Sequence, residues 1–407
     1  MQNHNTKLLI VSGLKDSREL SEKVYTILKE DYKMGDGIEI IRALSRDEVP
    51  KGILKDHKAP LVIDFFPDKE VQCDVGRNML KDAIRGKHVA IIQYLYNPTN
   101  IGTEEYRSLN DRFVNTVGIL RKLDQNLKNE LPQTTLVAPY ITYLRSHSIE
   151  KYEKVGFFQF DSLSFMVETY AKSGLNNMIG IDPHSRKIKD IASDFGMEFG
   201  DINPFQSGRS INPAKLGLIN KNDIEKVMPN LRPYMTRFKQ LQEQDEDKIY
   251  IVSLDDGTEN RCENFTNRAY ENKENPYEML VYILKERLSY ESSRIAFKSF
   301  SMINEDNIDK EGRYILLDDM FASGGSVDKV STMLKSYGAK YIEAWVVHAV
   351  TAPSQIEKVK RMNSVDKIVC LDTVIQDPEL GFEYIHASAD LLAAELYKVH
   401  QKFLSNR

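Results

Sequence analysis

The segment RYILLDDMFASGGSV, residues 313–327, places two adjacent carboxylates, Asp318 and Asp319, at the end of an apolar run. Ala322, Ser323, Gly324, Gly325 and Ser326 follow. Each part has its own chemistry. Carboxylates accept hydrogen bonds from sugar hydroxyls and bind Mg²⁺. Glycines let a backbone turn tightly and come close to a ligand. Free N–H groups at a helix start cradle an anion, helped by the helix dipole. The loop contains no Lys or Arg, so a phosphomonoester there would be held by N–H and hydroxyl donors. The two acids would repel that phosphate, so they must serve a neighbouring group. A phosphate beside a diol is a ribose phosphate. The plain alternative is a strand-to-helix turn with a solvent-facing acid pair. The order strand, acids, small residues, helix weighs against it. A Walker loop is excluded, because no G-x-x-x-x-G-K-[ST] occurs.

Elements must hold this loop in place, and the chain alternates short β-rich runs with helical patterns. The runs predict strands at 7–12, 89–93, 134–138, 178–181, 249–254, 314–317, 341–347 and 367–371. Helices are predicted at 17–29, 105–127, 162–172, 327–337 and 386–403. Such alternation implies mainly parallel sheets with helices on both faces, and ligands then bind beyond the carboxyl ends of the strands. Residues 203–248 are rich in Pro, Asn, Gly and charge, which reads as a linker or insertion with little core of its own. Residues 30–60 read as a second local insertion.

The chain has 407 residues, 41% of them hydrophobic, enough for two cores. A net charge of −5 argues against a general nucleic-acid binder, which needs a basic face. Cys73, Cys262 and Cys370 form no CxxC pair, which disfavours a zinc site or a disulfide framework. No apolar run approaches the roughly 20 residues of a membrane span. The expectation is a soluble, cytoplasmic α/β protein without nucleic-acid or membrane partners.

YILLDDMFASGGS resembles the ribose-phosphate loop of phosphoribosyltransferases and of ribose-phosphate diphosphokinases. Further stretches resemble the diphosphokinases. FPDKEVQCDVGRNMLKDAIRGKHVAIIQ, residues 66–93, is similar to a segment whose Phe, Asp and Glu contact adenine from a neighbouring subunit, at the places of Phe66, Asp68 and Glu70. VAPYITYLRSHS, residues 137–148, matches at Pro139, Tyr140, Tyr143 and Arg145 but departs at Ser146 and His147. The resemblance implies that Arg145 binds ATP. GIDPHS, residues 180–185, implies His184 as a Mg²⁺ ligand, and VSLDDGT, residues 252–258, implies Asp255 as another, with departures at Asp256 and Thr258. VYILKERLSY, residues 281–290, brings Lys285 and Arg287 onto the family's two catalytic cations. In an extended segment their spacing puts both on one face.

The resemblance implies two phosphoribosyltransferase-like domains, each a mainly parallel sheet flanked by helices. The first would be 1–202, completed by the C-terminal helix 386–407, and the second 249–385, with 203–248 between them. It implies transfer of the β,γ-diphosphoryl group of ATP to the 1-hydroxyl of a ribose 5-phosphate group, with Mg²⁺ as cofactor and a dimer or hexamer as assembly. Ala322 stands where the diphosphokinases usually carry Asp. That opens the site to a bulkier acceptor such as ADP-ribose. A phosphoribosyltransferase and a non-catalytic regulatory relative are the competing readings.

Overall fold

The structure, a computed structural model, describes residues 8–49, 61–66, 68–75, 84–99, 101, 103, 106–125, 133–146, 156, 158–205, 228–245, 248–287, 293–299, 301–375 and 377–406. The chain divides into two compact units. One comprises Met1–Ile202, Ile211–Val227 and Ser388–Arg407, the other Asn203–Ser210 and Met228–Ala387.

The first unit is built on strands β1 (Leu8–Ser12), β2 (Ile38–Arg42), β5 (His88–Ile92), β6 (Gln133–Val137), β7 (Asn177–Ile181) and β8 (Glu198–Ile202). They form one sheet in the order β2-β1-β5-β6-β7-β8, parallel throughout. Every residue of β1, β5 and β7 is buried, as a parallel sheet covered on both faces requires. A separate antiparallel hairpin joins β3 (Leu61–Phe65) and β4 (Val71–Val75). The helices are α1 (Arg18–Glu30), α2 (Leu109–Gln125), α3 (Ser162–Lys172) and α4 (Lys187–Asp194). In α1, Leu20, Val24 and Leu28 recur at helical spacing and are buried.

The second unit begins with α5 (Pro233–Asp245), β9 (Ile249–Ser253), α6 (Glu259–Ala269), β10 (Leu280–Arg287) and β11 (Ser293–Phe297). It continues with β12 (Arg313–Phe321), α7 (Gly325–Ser336), β13 (Tyr341–Ala349), α8 (Ile356–Lys360), β14 (Lys367–Leu371) and β15 (Glu383–Ile385). The sheet order is β11-β10-β9-β12-β13-β14-β15, parallel except for the β10–β11 pair at one edge. The final helix, α9 (Ser388–Ser405), belongs to the first unit and packs on α1. There its His400 meets His88 of β5, with the two Nδ1 atoms 3.2 Å apart, both rings buried.

The predicted alternation is found, with shifted ends. Three departures stand out. β12 does not stop at Leu317 but runs to Phe321, because β13 continues to pair with it up to Ala349. Residues 30–60, read as an insertion, include β2, a full partner of β1; residues 50–60 lie outside the described part. Residues 203–248, expected to hold little core, include α5. Its Tyr234, Phe238 and Leu241 are buried, and the Tyr234 ring stacks on Phe205 at 4.3 Å and faces Trp345 at 5.8 Å. The polar residues between them masked this helical stripe. Among the described residues no helix is long and apolar enough to cross a membrane.

Candidate active site

At the carboxyl edge of the second sheet, β9 ends first. Its last pair with β12 is Leu317↔Ser253, so Asp318 to Phe321 extend past it along β13 alone. That step leaves one edge of the acid pair open. Asp319 is buried and its N–H donates to Asp318 Oδ1 at 2.9 Å. Part of Asp318 stays accessible, yet its surroundings push its pKa well above the usual carboxylate range. Burial comes first among the causes, then the charge of Asp319 and a hydrogen bond with it. Arg261 of α6 pulls the other way.

After Phe321 the chain turns through Ala322 and Ser323 to Gly324, whose φ of 69° is left-handed. A Cβ at Gly324 would lie 2.6 Å from Met362 Sδ and 2.7 Å from Phe321 Cζ. Both the dihedral and the space demand glycine. Helix α7 starts at Gly325, two residues before its predicted start at 327. Ser326 therefore lies in the first turn, where backbone N–H groups have no helical acceptor.

The turn after β9 is stitched by its own side chains. Thr258 Oγ1 accepts from Leu254 N–H at 2.9 Å and donates to the Asp255 carbonyl at 3.0 Å. Asp255 Oδ1 accepts from Gly257 N–H at 3.0 Å. This leaves Oδ2 facing Lys285 Nζ at 3.9 Å. Lys285 sits on β10, and its ammonium donates to Ser326 Oγ at 2.7 Å. The fold thus gathers Lys285, Asp255 and the loop that begins after Asp318 and Asp319. Arg287 is the last residue of β10; its side chain lies outside the described part.

The other predicted residues lie in the first unit. Phe66, Asp68 and Glu70 form the exposed turn of the β3–β4 hairpin, with Phe66 N–H donating to the Glu70 carbonyl at 2.8 Å. Arg145 is exposed in a short turn, Leu144–Ser146, next to Tyr143, whose φ is 62°. The side chain of Ser146 and all of His147 lie outside the described part. His184 is exposed just beyond β7, two residues after Asp182, whose φ is 38°.

No family model matches the chain. It is 22% identical over 348 residues to the ribose-phosphate pyrophosphokinase of Prochlorococcus marinus subsp. pastoris, covering 84% of each chain. It is 23% identical over 349 residues to that of Parasynechococcus marenigrum, again 84% of each. A shorter stretch of 62 residues is 37% identical to the Hyphomonas neptunium protein of the same name, covering 15% of this chain and 20% of that one. The fold is similar to phosphoribosylpyrophosphate synthetase from Mycobacterium smegmatis, with a TM-score of 0.63 at 13% identity over 99% of this chain and 100% of that one. Over most of its length the chain is thus similar to ribose-phosphate pyrophosphokinases. Its architecture, two α/β units each built on a mainly parallel sheet flanked by helices, is the fold shared with that synthetase.

Mg²⁺ is the cofactor that the sequence resemblance leads one to expect. Among the described residues no three His, Cys, Asp or Glu side chains converge on one point. Mg²⁺ does not need three, since it is commonly held by one or two carboxylates together with substrate phosphates. Asp255 Oδ2 and the Asp318–Asp319 pair are hard oxygen donors of that kind. A cation beside Asp318 would also lower the energy of ionising it. Two residues that bear on the site were not legible in the sequence. Arg261 follows no motif and acts on Asp318 across the sheet edge. Lys298 lies in a stretch with no recognised pattern, and its contacts are described below.

Proposed function

We propose that this protein transfers the β,γ-diphosphoryl group of ATP to the anomeric hydroxyl of a 5-phosphoribosyl acceptor and releases AMP. The 1-oxygen of the ribose attacks the β-phosphorus, the bond from that phosphorus to the α,β-bridging oxygen breaks, and AMP leaves with this oxygen. The hydroxyl proton is lost to solvent. The observation that carries the reading is the contact of Lys285 with Ser326, which brings a cation from a separate hairpin to the lip of an anion loop. Positioning and charge neutralisation supply most of the catalysis in such transfers.

In this reading Ser323, Gly324, Gly325 and Ser326 hold the 5-phosphate, with Ala322 lining the loop. Asp318 and Asp319 accept from ribose hydroxyls. Lys285 and Arg287 neutralise charge on the migrating group. Phe66 stacks on adenine, Asp68 and Glu70 accept from it, and Arg145 binds the nucleotide. Bound Mg²⁺ supplies charge neutralisation at the phosphate oxygens, and Asp255 and His184 are its proposed protein ligands. The exposed Phe66 turn also fits completion of the ATP site by a second copy in a dimer or hexamer.

Ala322 supports ADP-ribose as an acceptor beside ribose 5-phosphate, since a missing carboxylate leaves room and removes repulsion for a second phosphate. Product analysis with ATP, Mg²⁺ and a panel of ribosyl acceptors tests both levels. AMP with ribose 5-phosphate but never with ADP-ribose retires the larger acceptor. No AMP with any acceptor retires the kinase reading in favour of a phosphoribosyltransferase or a regulatory relative.

A further inference from the structure

The strand that carries Lys285 is poorly tethered along its length. β10 pairs with β9 only through Leu280, Val281 and Tyr282. From Ile283 onward its sheet neighbour is β11 alone, so the end bearing Lys285 belongs to an edge hairpin.

The base of this hairpin is fastened elsewhere. Lys298 follows β11 directly, and its N–H donates to the Tyr282 carbonyl at 2.9 Å. This continues the ladder one step past Ile283↔Phe297, which makes Lys298 and Tyr282 cross-strand neighbours with side chains on one face. Both side chains reach α6. Lys298 Nζ lies 2.5 Å from Glu259 Oε1, and Tyr282 Oη donates to Glu263 Oε1 at 2.9 Å. Glu259 and Glu263 are one helical turn apart and share a face. Lys298 also contacts Asp256 Oδ1 at 2.6 Å. Its side chain is only 15% exposed. Burial opposes its charge, but the bonds to Asp256 and Glu259 outweigh this and raise its pKa. Residues 255–259 are thus gripped by the hairpin twice, through Lys285 to Asp255 and through Lys298 to Asp256 and Glu259.

We infer that Lys298 is a positioning residue, a clamp between the hairpin base and the start of α6 that sets where Lys285 stands over the 323–326 loop. The inference rests on the proposed role of Lys285 in the transfer. Without the clamp the hairpin pivots about its short β9 pairing, and a displacement of about 1 Å is enough to slow a positioned reaction about a hundredfold.

The test compares Lys298→Met with Lys298→Arg in the full chain. Steady-state AMP release from ATP and ribose 5-phosphate is measured together with amide exchange along β10 and β11. The Met variant should lose about ten- to a hundredfold in kcat, with KM for both substrates within about twofold. Amides of β10 and β11 should lose protection while those of β12 and β13 keep theirs. The Arg variant, which retains a cation able to reach both carboxylates, should recover most of kcat. Unchanged kcat in the Met variant overturns the clamp, and so does an equal loss in the Met and Arg variants. If Lys298→Met fails to fold, Glu259→Gln is the milder cut, with the same expected split and the same refutation. A wild-type protein that releases no AMP overturns the functional reading. The clamp is then decided by exchange alone: protection lost only at the hairpin upholds it, and unchanged protection overturns it.

Discussion

The ammonium of Lys285 lies 2.7 Å from the hydroxyl of Ser326 and 3.9 Å from a carboxylate oxygen of Asp255. One side chain therefore joins three segments far apart in the chain: the β10 strand, the turn after β9 and the first turn of α7. Lys285→Ala should cut AMP release by about 10²–10³-fold, the size of loss seen when one preorganised donor to developing transition-state charge is removed. The side chain is partly exposed on an edge hairpin, so the thermal midpoint should change little. Wild-type turnover in this variant would remove Lys285 from the mechanism.

Gly324→Ala forces a side chain into left-handed backbone and against Met362 and Phe321. A loss of about 1–3 kcal/mol in unfolding free energy is expected, together with a raised KM for the ribosyl acceptor. Urea unfolding of the two proteins checks the first, and initial rates the second. A stable variant with normal KM would show that the loop does not grip the acceptor.

Asp318 has its pKa raised in the native state, chiefly by burial and then by Asp319. Below about pH 3.9 native and unfolded chains both hold this proton. Above that the unfolded chain releases it while the native site keeps it, so stability falls as pH rises until the native pKa is passed. Asp318→Asn should remove this penalty, raising the thermal midpoint near neutral pH while lowering turnover. Midpoints measured across pH 4–9 decide it, and parallel curves for both proteins would contradict the assignment.

His88 and His400 are expected to govern acid unfolding of the first unit. Burial lowers the pKa of His88 to about 3, with His400 contributing, and that of His400 to about 4. One Nδ1 must donate and the other accept, so the contact is lost once both rings carry a proton on Nδ1. As pH falls below about 6.5 the unfolded chain takes up protons that the native pair refuses, and stability drops until the native values are reached. His400→Phe, which keeps a ring against Phe403, should flatten that limb of the stability curve. Circular dichroism melts between pH 3 and 7 provide the measurement.

Asp255→Asn should raise the Mg²⁺ concentration for half-maximal rate by about tenfold or more. Full chelation of divalent ions should abolish AMP release by the wild-type protein. An unchanged Mg²⁺ titration would detach Asp255 from the metal.

The loop chemistry was readable because its ingredients are contiguous: strand, acids, glycines and helix occupy residues 313–337 and encode a local geometry. β14 and α3 were readable to the residue because their apolar patterns are uninterrupted. The β10–β11 hairpin was not, since KERLSYESS carries no alternation and its place depends on β9 ending early. Helix α5 was hidden because its aromatic residues gain meaning only when Trp345 and Phe265 arrive from elsewhere in the chain.

By itself the sequence determined the kinds of groups available: an anion loop with two acids, a Lys-x-Arg strand and a histidine after a strand. The tertiary structure alone decided that Lys285 meets Ser326, that β12 outruns β9, and that Lys298 and Tyr282 land on one face of α6. Spacing along a chain fixes only the neighbours a few residues away. Contacts across forty residues depend on strand order and register, which are settled when the sheet closes its hydrogen bonds and buries its faces.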